Sequence, residues 1–176
     1  MRKVVLYIAM TMDGMIADSS DGISFLDSYG ELKWVVDKTN EIMDRTDTLL
    51  MGRRTYEVVQ SFDLLWPYAD HQCFVYGQTN LSSDVATMIH ENAVTHVNKL
   101  KQLQGKDIWF MGGGKLTQSL LDANLIDELI ITIVPILLGE GIPLFSRLNR
   151  KQLYDLEDIQ TDSGLAMLTY SKKEER

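Results

Sequence analysis

Three consecutive glycines follow an apolar run in the segment Ile108–Leu116, which reads IWFMGGGKL. The pattern predicts a buried strand that turns sharply into a helix. Glycines let a backbone approach a pyrophosphate closely, and the first N–H groups of the helix face the anion. The spacing differs from the Rossmann pattern, because no later glycine follows Gly114 at the required distance. The same residues also fit a tight strand-to-helix connection without a ligand, and this segment alone leaves both interpretations open.

A second junction of this kind places two arginines and a hydroxyl group at a predicted helix start. Gly52, Arg53, Arg54 and Thr55 directly follow a short apolar run. The planar guanidinium group of arginine suits bidentate contacts to phosphate. Two such junctions predict a site for a dinucleotide, with the pyrophosphate at one junction and the extra ribose phosphate of NADPH at the other. The alternative is that both arginines are ordinary surface residues of the helix.

A third segment that could carry chemistry is the loop after the first predicted strand, where Asp13 precedes Gly14. In open α/β sheets ligands bind beyond the carboxyl ends of the strands, so this loop is expected near the two junctions. Asp13 is a candidate proton donor, because partial burial raises the pKa of a carboxyl group toward the working pH. The alternative, and the more common role, is that of the turn residue in a tight Asp-Gly turn.

Apolar runs rich in β-branched residues alternate with amphipathic segments and position these loops. The predicted strands are Val4–Met10, Thr48–Met51, Cys73–Tyr76, Ile108–Met111 and Leu129–Val134. The predicted helices are Trp34–Thr46, Arg54–Ser61 and Lys115–Ala123. Because the strands are apolar at consecutive positions, we expect them to be mostly parallel and covered by helices on both faces. Leu153–Thr161 and Leu165–Ser171 flank an Asp-Ser-Gly turn and predict a final antiparallel hairpin.

Composition and charge narrow the class of protein. A chain of 176 residues has the size of one domain, so a single α/β domain is predicted over residues 1–176. The formal net charge of -8 disfavours binding to nucleic acid or anionic lipid. No apolar stretch approaches the roughly 20 residues that span a bilayer, which predicts a cytoplasmic protein without membrane contact. The single cysteine and the three histidines lack the spacing of a metal site, so no metal is predicted.

Together these segments resemble the dihydrofolate-reductase-like superfamily, and most of all the C-terminal reductase domain of riboflavin-biosynthesis proteins. The resemblance runs from Val4 to Tyr170. It is most specific in GGGKL at 112–116, LIDEL at 125–129, PILLGEG at 135–141 and PLF at 143–145. It implies a dihydrofolate-reductase-like three-layer fold, NADPH as the cofactor and a small-molecule substrate. It also suggests a homodimer through the C-terminal strands.

The resemblance further implies roles for individual residues. Arg53 is the candidate for the 2′-phosphate of NADPH, with Arg54 and Thr55 nearer the pyrophosphate. The backbone of Ala9 and Ile16 is expected to meet the nicotinamide carboxamide. The full set of implied cofactor-binding residues is Ala9, Ile16, Gly52, Arg53, Arg54, Thr55, Tyr76, Gly77, Gln78, Met111, Gly112, Gly113, Gly114, Lys115 and Leu116. Within this set, the peptide bond between the first two glycines of the triplet is expected to be cis.

The implied activity is hydride transfer from NADPH to 5-amino-6-(5-phosphoribosylamino)uracil or a similar heterocyclic or ribosylamine substrate. Asp13 and Asp37 are candidates for binding or protonating this substrate. True dihydrofolate reductases recognise the pterin through an acidic residue on the first helix, and Asp37 lies near that position. The loop from Asp18 to Trp34 is predicted either to wall the substrate pocket or to pack the first helix. Two alternative functions stay open, a dihydrofolate reductase and a non-catalytic module that binds NADPH.

Overall fold

A central sheet of eight strands organises the structure. The computed structural model describes residues 1–62, 65–79 and 82–173. The strands are β1 (Val4–Thr11), β2 (Met15–Ala17), β3 (Thr46–Gly52), β4 (Gln72–Tyr76), β5 (Thr87–Ile89), β6 (Asp107–Gly112), β7 (Glu128–Val134), β8 (Ile142–Pro143), β9 (Tyr154–Asp162) and β10 (Leu165–Lys172). The helices are α1 (Lys33–Arg45), α2 (Arg53–Gln60), α3 (Ala93–Gln102) and α4 (Gly114–Asp122), with a short 3-10 helix at Ser24–Leu26.

The sheet is mixed and mostly parallel, with the strand order β5-β4-β3-β6-β1-β7-β10-β9. The first six strands in this order, β5-β4-β3-β6-β1-β7, are all parallel to their neighbours, whereas β10 is antiparallel to both β7 and β9. β2 and β8 form a separate two-stranded sheet. The predicted mostly parallel sheet and the predicted C-terminal antiparallel hairpin are therefore confirmed.

Helices cover both faces of the sheet and give it three layers. On one face, Leu6 and Phe110 belong to the same core cluster as Leu100 of α3 and Leu120 of α4. On the other face, Trp109 packs in a cluster with residues of α1 and α2. Because side chains alternate between the faces of a strand, consecutive residues of β1 and β6 must all be apolar.

The predicted strands and helices are confirmed to within one or two residues at their ends. The helix α3 was not predicted, although its signals are local. The side chain of Asn92 caps it by accepting a hydrogen bond from the backbone N–H of Thr95 at 3.1 Å, and Val97 and Leu100 are buried. The described helices include none with the length and apolar character that a membrane crossing needs. The predicted homodimer stays a prediction; β9, the outer strand beside β10, is largely exposed.

The carboxyl group of Asp127 ties together several elements at the amino edge of the sheet, just before β7. It accepts a hydrogen bond from the backbone N–H of Val4 at 2.8 Å, at the start of β1. It also forms ion pairs with Lys101 of α3 and, at 3.2 Å, with Lys172 of β10. Lys101 is only 6% exposed, so its ammonium group depends on this partner.

We expect Asp127→Asn to lower the free energy of unfolding by about 3 kcal/mol, because the buried ammonium group of Lys101 loses its charged partner. Denaturant unfolding followed by circular dichroism measures this loss. Asp155→Asn is the matched control, since it makes the same chemical change in an exposed ion pair with Lys173 and should cost about 0–1 kcal/mol. Equal losses in the two variants would contradict the role given to Asp127.

Candidate active site

A cleft of about 990 Å³ opens along the carboxyl edge of the sheet. It is lined by the ends of β3, β4 and β6 and by the residues that begin α2 and α4. Residues 89–93, which lead from β5 into α3, complete this rim. Parallel strands bring their carboxyl ends to one edge of a sheet, so junctions that are far apart in sequence meet here.

The glycine junction between β6 and α4 requires a backbone without side chains. Gly112 and Gly113 have φ angles of 109° and 107°, which residues with a Cβ atom rarely adopt. A Cβ atom on Gly113 would lie 3.4 Å from Oγ1 of Thr55 and 3.5 Å from Cα of Gly52, so the two junctions nearly touch. A Cβ atom on Gly114 would lie 2.9 Å from the carbonyl oxygen of Pro143. The expected cis peptide is absent, because the described chain contains only trans peptide bonds.

The arginine junction presents two guanidinium groups at the mouth of the cleft. Nε of Arg53 donates a hydrogen bond to Glu57 at 2.8 Å, one turn further along α2. A Cβ atom on Gly77 would lie 3.2 Å from Cβ of Arg53, so this glycine leaves room for the arginine. Arg54 forms a 2.6 Å ion pair with Asp21, which belongs to the loop between β2 and α1.

The cleft has two halves of different character. The basic half is lined by Arg53 and Arg54 of α2, by Lys115 of α4 and by His90 between β5 and α3, together with the carboxylates of Asp21 and Glu91. The apolar half lies over β1 and β6, between α1 and α2. Its lining comprises Tyr7, Leu26, Val35, Val58, Trp109 and Thr132. Burial raises the pKa of Tyr7, so its hydroxyl group stays protonated at neutral pH.

The structure brings the predicted cofactor-binding residues together. All of them except Gly112, which is buried behind the junction, line the cleft. Residues from the ends of four strands therefore share one surface, as the resemblance implied. Gly77 also fixes the position of His90, whose Nδ1 donates a hydrogen bond to the Gly77 carbonyl oxygen at 2.9 Å.

Comparison with known proteins assigns the family. Residues 2–166 match the family model of the RibD C-terminal domain. The chain belongs to this family. A Bacillus subtilis relative, the uncharacterised protein YwjB, is 38% identical over 172 residues, which cover 96% of this chain and 97% of YwjB. A crystal structure from Shewanella sp. PV-4, assigned provisionally to riboflavin biosynthesis, has 31% identity and a TM-score of 0.86, covering 98% of this chain and 99% of that one.

Two more distant solved structures share the fold of this RibD C-terminal domain. One is a Thermotoga maritima deaminase and 5-amino-6-(5-phosphoribosylamino)uracil reductase, with a TM-score of 0.69 at 13% identity over 98% of this chain and 57% of that one. The other is a dihydrofolate reductase from Enterococcus faecalis in complex with NADP(H), with a TM-score of 0.68 at 16% identity over 98% of this chain and 97% of that one. The predicted dihydrofolate-reductase-like fold is confirmed.

Neither candidate catalytic carboxyl group of this RibD C-terminal domain lies in the cleft. Asp13 closes a turn between two loops, where its carboxylate accepts hydrogen bonds from the Thr11 hydroxyl group and from the backbone N–H of Gly139 at 2.7 Å. The Thr11 hydroxyl group, followed by the Gly139 N–H, holds the pKa of Asp13 below its ordinary value. In this arrangement Asp13 acts as the turn residue, and its role as a proton donor stays a prediction.

Asp37 also lies outside the cleft. Its side chain is exposed on α1 and pairs with Lys33 at 2.6 Å, one helical turn away. It does not line the cleft, whereas Val35 on the same helix does. The register of the helix therefore turns Asp37 toward solvent. The loop before α1 does form part of the cleft wall, through residues that include Leu26 and Tyr29.

Sequence reasoning missed three residues that line the apolar half, Tyr7, Trp109 and Thr132. Each belongs to a strand that is otherwise apolar, so its side chain resembles an ordinary core residue in the sequence. The signal that could have found them was the alternation of side chains between the two faces of a strand. Trp109 points to the opposite face of β6 from Phe110, and the end of β6 was already assigned to the site.

We expect Asp13→Asn to destabilise the fold at neutral pH but not in strong acid. The pKa of Asp13 in the folded chain lies below the ordinary value of 3.8. The ionised carboxylate therefore stabilises the fold above that pH, and this contribution is lost as the pH falls through the lowered pKa. The urea midpoints of Asp13→Asn and of the unmodified protein, measured at a series of pH values from neutral downward, give the difference in stability at each pH. Asp37→Asn, in an exposed ion pair, serves as the control, and a pH-independent loss in Asp13→Asn would contradict this role.

Proposed function

We propose that the protein is an NADPH-dependent reductase that transfers a hydride to a small heterocyclic or ribosylamine substrate. One observation carries the proposal. A bare glycine junction and a junction with two arginines open onto one cleft, although they are about sixty residues apart in sequence. Membership of the RibD C-terminal domain family, whose structural neighbours are reductases, supports the same class of reaction.

The basic half fits a dinucleotide phosphate. The helices α2 and α4 both begin at the cleft, so their unpaired N–H groups and positive dipole ends are available to an anion. Gly113 and Gly114 keep the start of α4 free of side chains, which suits a pyrophosphate. Arg53 would hold the 2′-phosphate that distinguishes NADPH from NADH, and Arg54 and Thr55 would supply further donors.

When bound, the nicotinamide ring supplies a hydride to the substrate. The chain contributes orientation and exclusion of water. The backbone of Ala9 and Ile16 would hold the carboxamide end, and the apolar half would seat the ring that is reduced. Within the described ranges, no carboxyl group lines the apolar half, so a proton from Asp13 or Asp37 would reach the substrate only through solvent.

Two alternatives make different predictions. A dihydrofolate reductase is the second candidate, in line with the shared fold of the Enterococcus faecalis enzyme. The position of Asp37 outside the cleft disfavours it, because this residue was the expected acidic contact to a pterin. A non-catalytic module is the third candidate, and it would bind NADPH without turnover of any substrate.

We expect Arg53→Ala to raise the KM for NADPH about 10- to 100-fold, the equivalent of a lost charge-assisted contact. The KM for NADH, which lacks the 2′-phosphate, should change little. Steady-state oxidation of both cofactors measures the two values. Arg150→Ala is the control, since Arg150 is exposed and does not line the cleft. Equal losses for both cofactors would contradict the role of Arg53.

The same assay tests the reaction, with the aminouracil ribosylamine phosphate and dihydrofolate supplied side by side. Oxidation of NADPH with the aminouracil alone supports the proposed class. Oxidation with dihydrofolate alone would favour the second candidate. Saturable NADPH binding without oxidation under either condition would favour the non-catalytic module.

A further inference from the structure

The side chain of Arg53 is restrained at two points by its neighbours. A Cβ atom on Gly77 would lie 3.2 Å from Cβ and 3.4 Å from Cδ of Arg53, so the aliphatic part of the arginine packs directly against the backbone that follows β4. Further along the side chain, Nε donates a hydrogen bond to Oε1 of Glu57 at 2.8 Å. The aliphatic part and the plane of the guanidinium group are therefore both restrained in the absence of a ligand.

The hydrogen bond to Glu57 leaves the outer edge of the Arg53 guanidinium group unused. This group has five N–H donors, one on Nε and two on each of the terminal nitrogens Nη1 and Nη2. Within residues 1–62, 65–79 and 82–173, the Arg53 side chain donates only through Nε. The edge formed by Nη1 and Nη2 keeps four donors, in the planar arrangement that binds phosphate bidentately.

Arg54 is held in a different way, and the contrast singles out Arg53. Nη1 of Arg54 pairs with Asp21 at 2.6 Å, so a phosphate would have to share this terminal nitrogen with a carboxylate. The Arg54 side chain is also 75% exposed, against 34% for Arg53. Arg53 lines the cleft, whereas Glu57 does not. Glu57 therefore supports the guanidinium group without occupying the surface that a ligand contacts.

Glu57 affects a phosphate bound to Arg53 in two opposing ways. Its negative charge repels the phosphate, although the partial exposure of the ion pair to solvent weakens this repulsion. Its hydrogen bond orders Arg53 in advance, and this favours binding because immobilising a long side chain on association costs free energy. The two effects can be separated, since a glutamine at this position keeps an acceptor oxygen but carries no charge.

We propose that Glu57 is a positioning residue for the cofactor, which fixes Arg53 through Nε so that Nη1 and Nη2 bind the 2′-phosphate of NADPH together. The inference rests on the proposed reductase function and adds a residue to its cofactor specificity. Glu57 acts through Arg53 and does not touch the ligand. Its hydrogen bond strengthens the preference for NADPH over NADH, because NADH lacks the phosphate that the ordered guanidinium group binds.

The variants Glu57→Gln and Glu57→Ala test this inference, because both remove the charge and only the alanine variant removes the acceptor as well. Calorimetry measures the binding of NADP⁺ and of NAD⁺ to each variant. We expect the dissociation constant for NADP⁺ to be about five- to tenfold larger in Glu57→Ala than in Glu57→Gln. The dissociation constant for NAD⁺, which lacks the 2′-phosphate, should agree between the two variants within about twofold.

Glu41→Gln and Glu41→Ala are the matched controls. Glu41 is 56% exposed, pairs with Lys38 within α1 and does not line the cleft. The two control variants should bind both cofactors as the unmodified protein does. A ratio of NADP⁺ dissociation constants below about twofold between the two Glu57 variants would overturn the positioning role, and so would an equal loss of NAD⁺ binding.

Titration of the unmodified protein with NADP⁺ separates this inference from the proposed function. A protein that does not bind NADP⁺ contradicts the proposed function and this inference together. A protein that binds NADP⁺, and whose two Glu57 variants bind it equally well, leaves the reductase proposal standing and overturns only the role of Glu57.

Discussion

The close approach of two backbones at the carboxyl edge of the sheet is the constraint on which the cleft depends. Gly113 and Gly52 lie so near each other that a single Cβ atom on Gly113 would sit 3.5 Å from Cα of Gly52. This contact holds the starts of α2 and α4 side by side, although the two helices cover opposite faces of the sheet. Two positive helix ends can therefore act on one ligand.

Both edges of the sheet carry ion pairs, and the pairs differ in how far they are exposed to solvent. At the amino edge, Asp127 and Lys101 are matched within the protein, and Arg45 forms a bidentate pair with Glu128. At the carboxyl edge, Arg53 and Arg54 pair with Glu57 and Asp21, but these side chains are more exposed and border the cleft. The ion pairs at the amino edge are therefore the better protected from solvent, and those at the carboxyl edge are the ones that a ligand in the cleft could reach.

The fold could be predicted because each buried strand appears in the sequence as an apolar run. The residues that line the cleft at the two junctions could be predicted because glycines and arginines mark them. The direction in which individual side chains point could not be predicted. Asp13 looks the same in sequence whether it protonates a substrate or accepts N–H groups from a loop 126 residues away. Trp109 likewise resembles a core residue, and one step along α1 decides whether a residue such as Asp37 faces the cleft or solvent. These outcomes depend on long-range contacts and helix register that local patterns do not encode.

The ion pair between Arg54 and Asp21 has a consequence for how the cleft fills. Asp21 lies in a tight turn in which Asp18 accepts hydrogen bonds from the backbone N–H groups of Ser20 and Gly22. An anion that binds Arg54 replaces the carboxylate of Asp21. The net binding free energy from this contact is therefore only the difference between two similar ion pairs. It also frees this turn from α2. Ligand binding and release of the turn are then thermodynamically linked. The free energy by which ligand binding favours release of the turn equals the free energy by which release of the turn favours ligand binding.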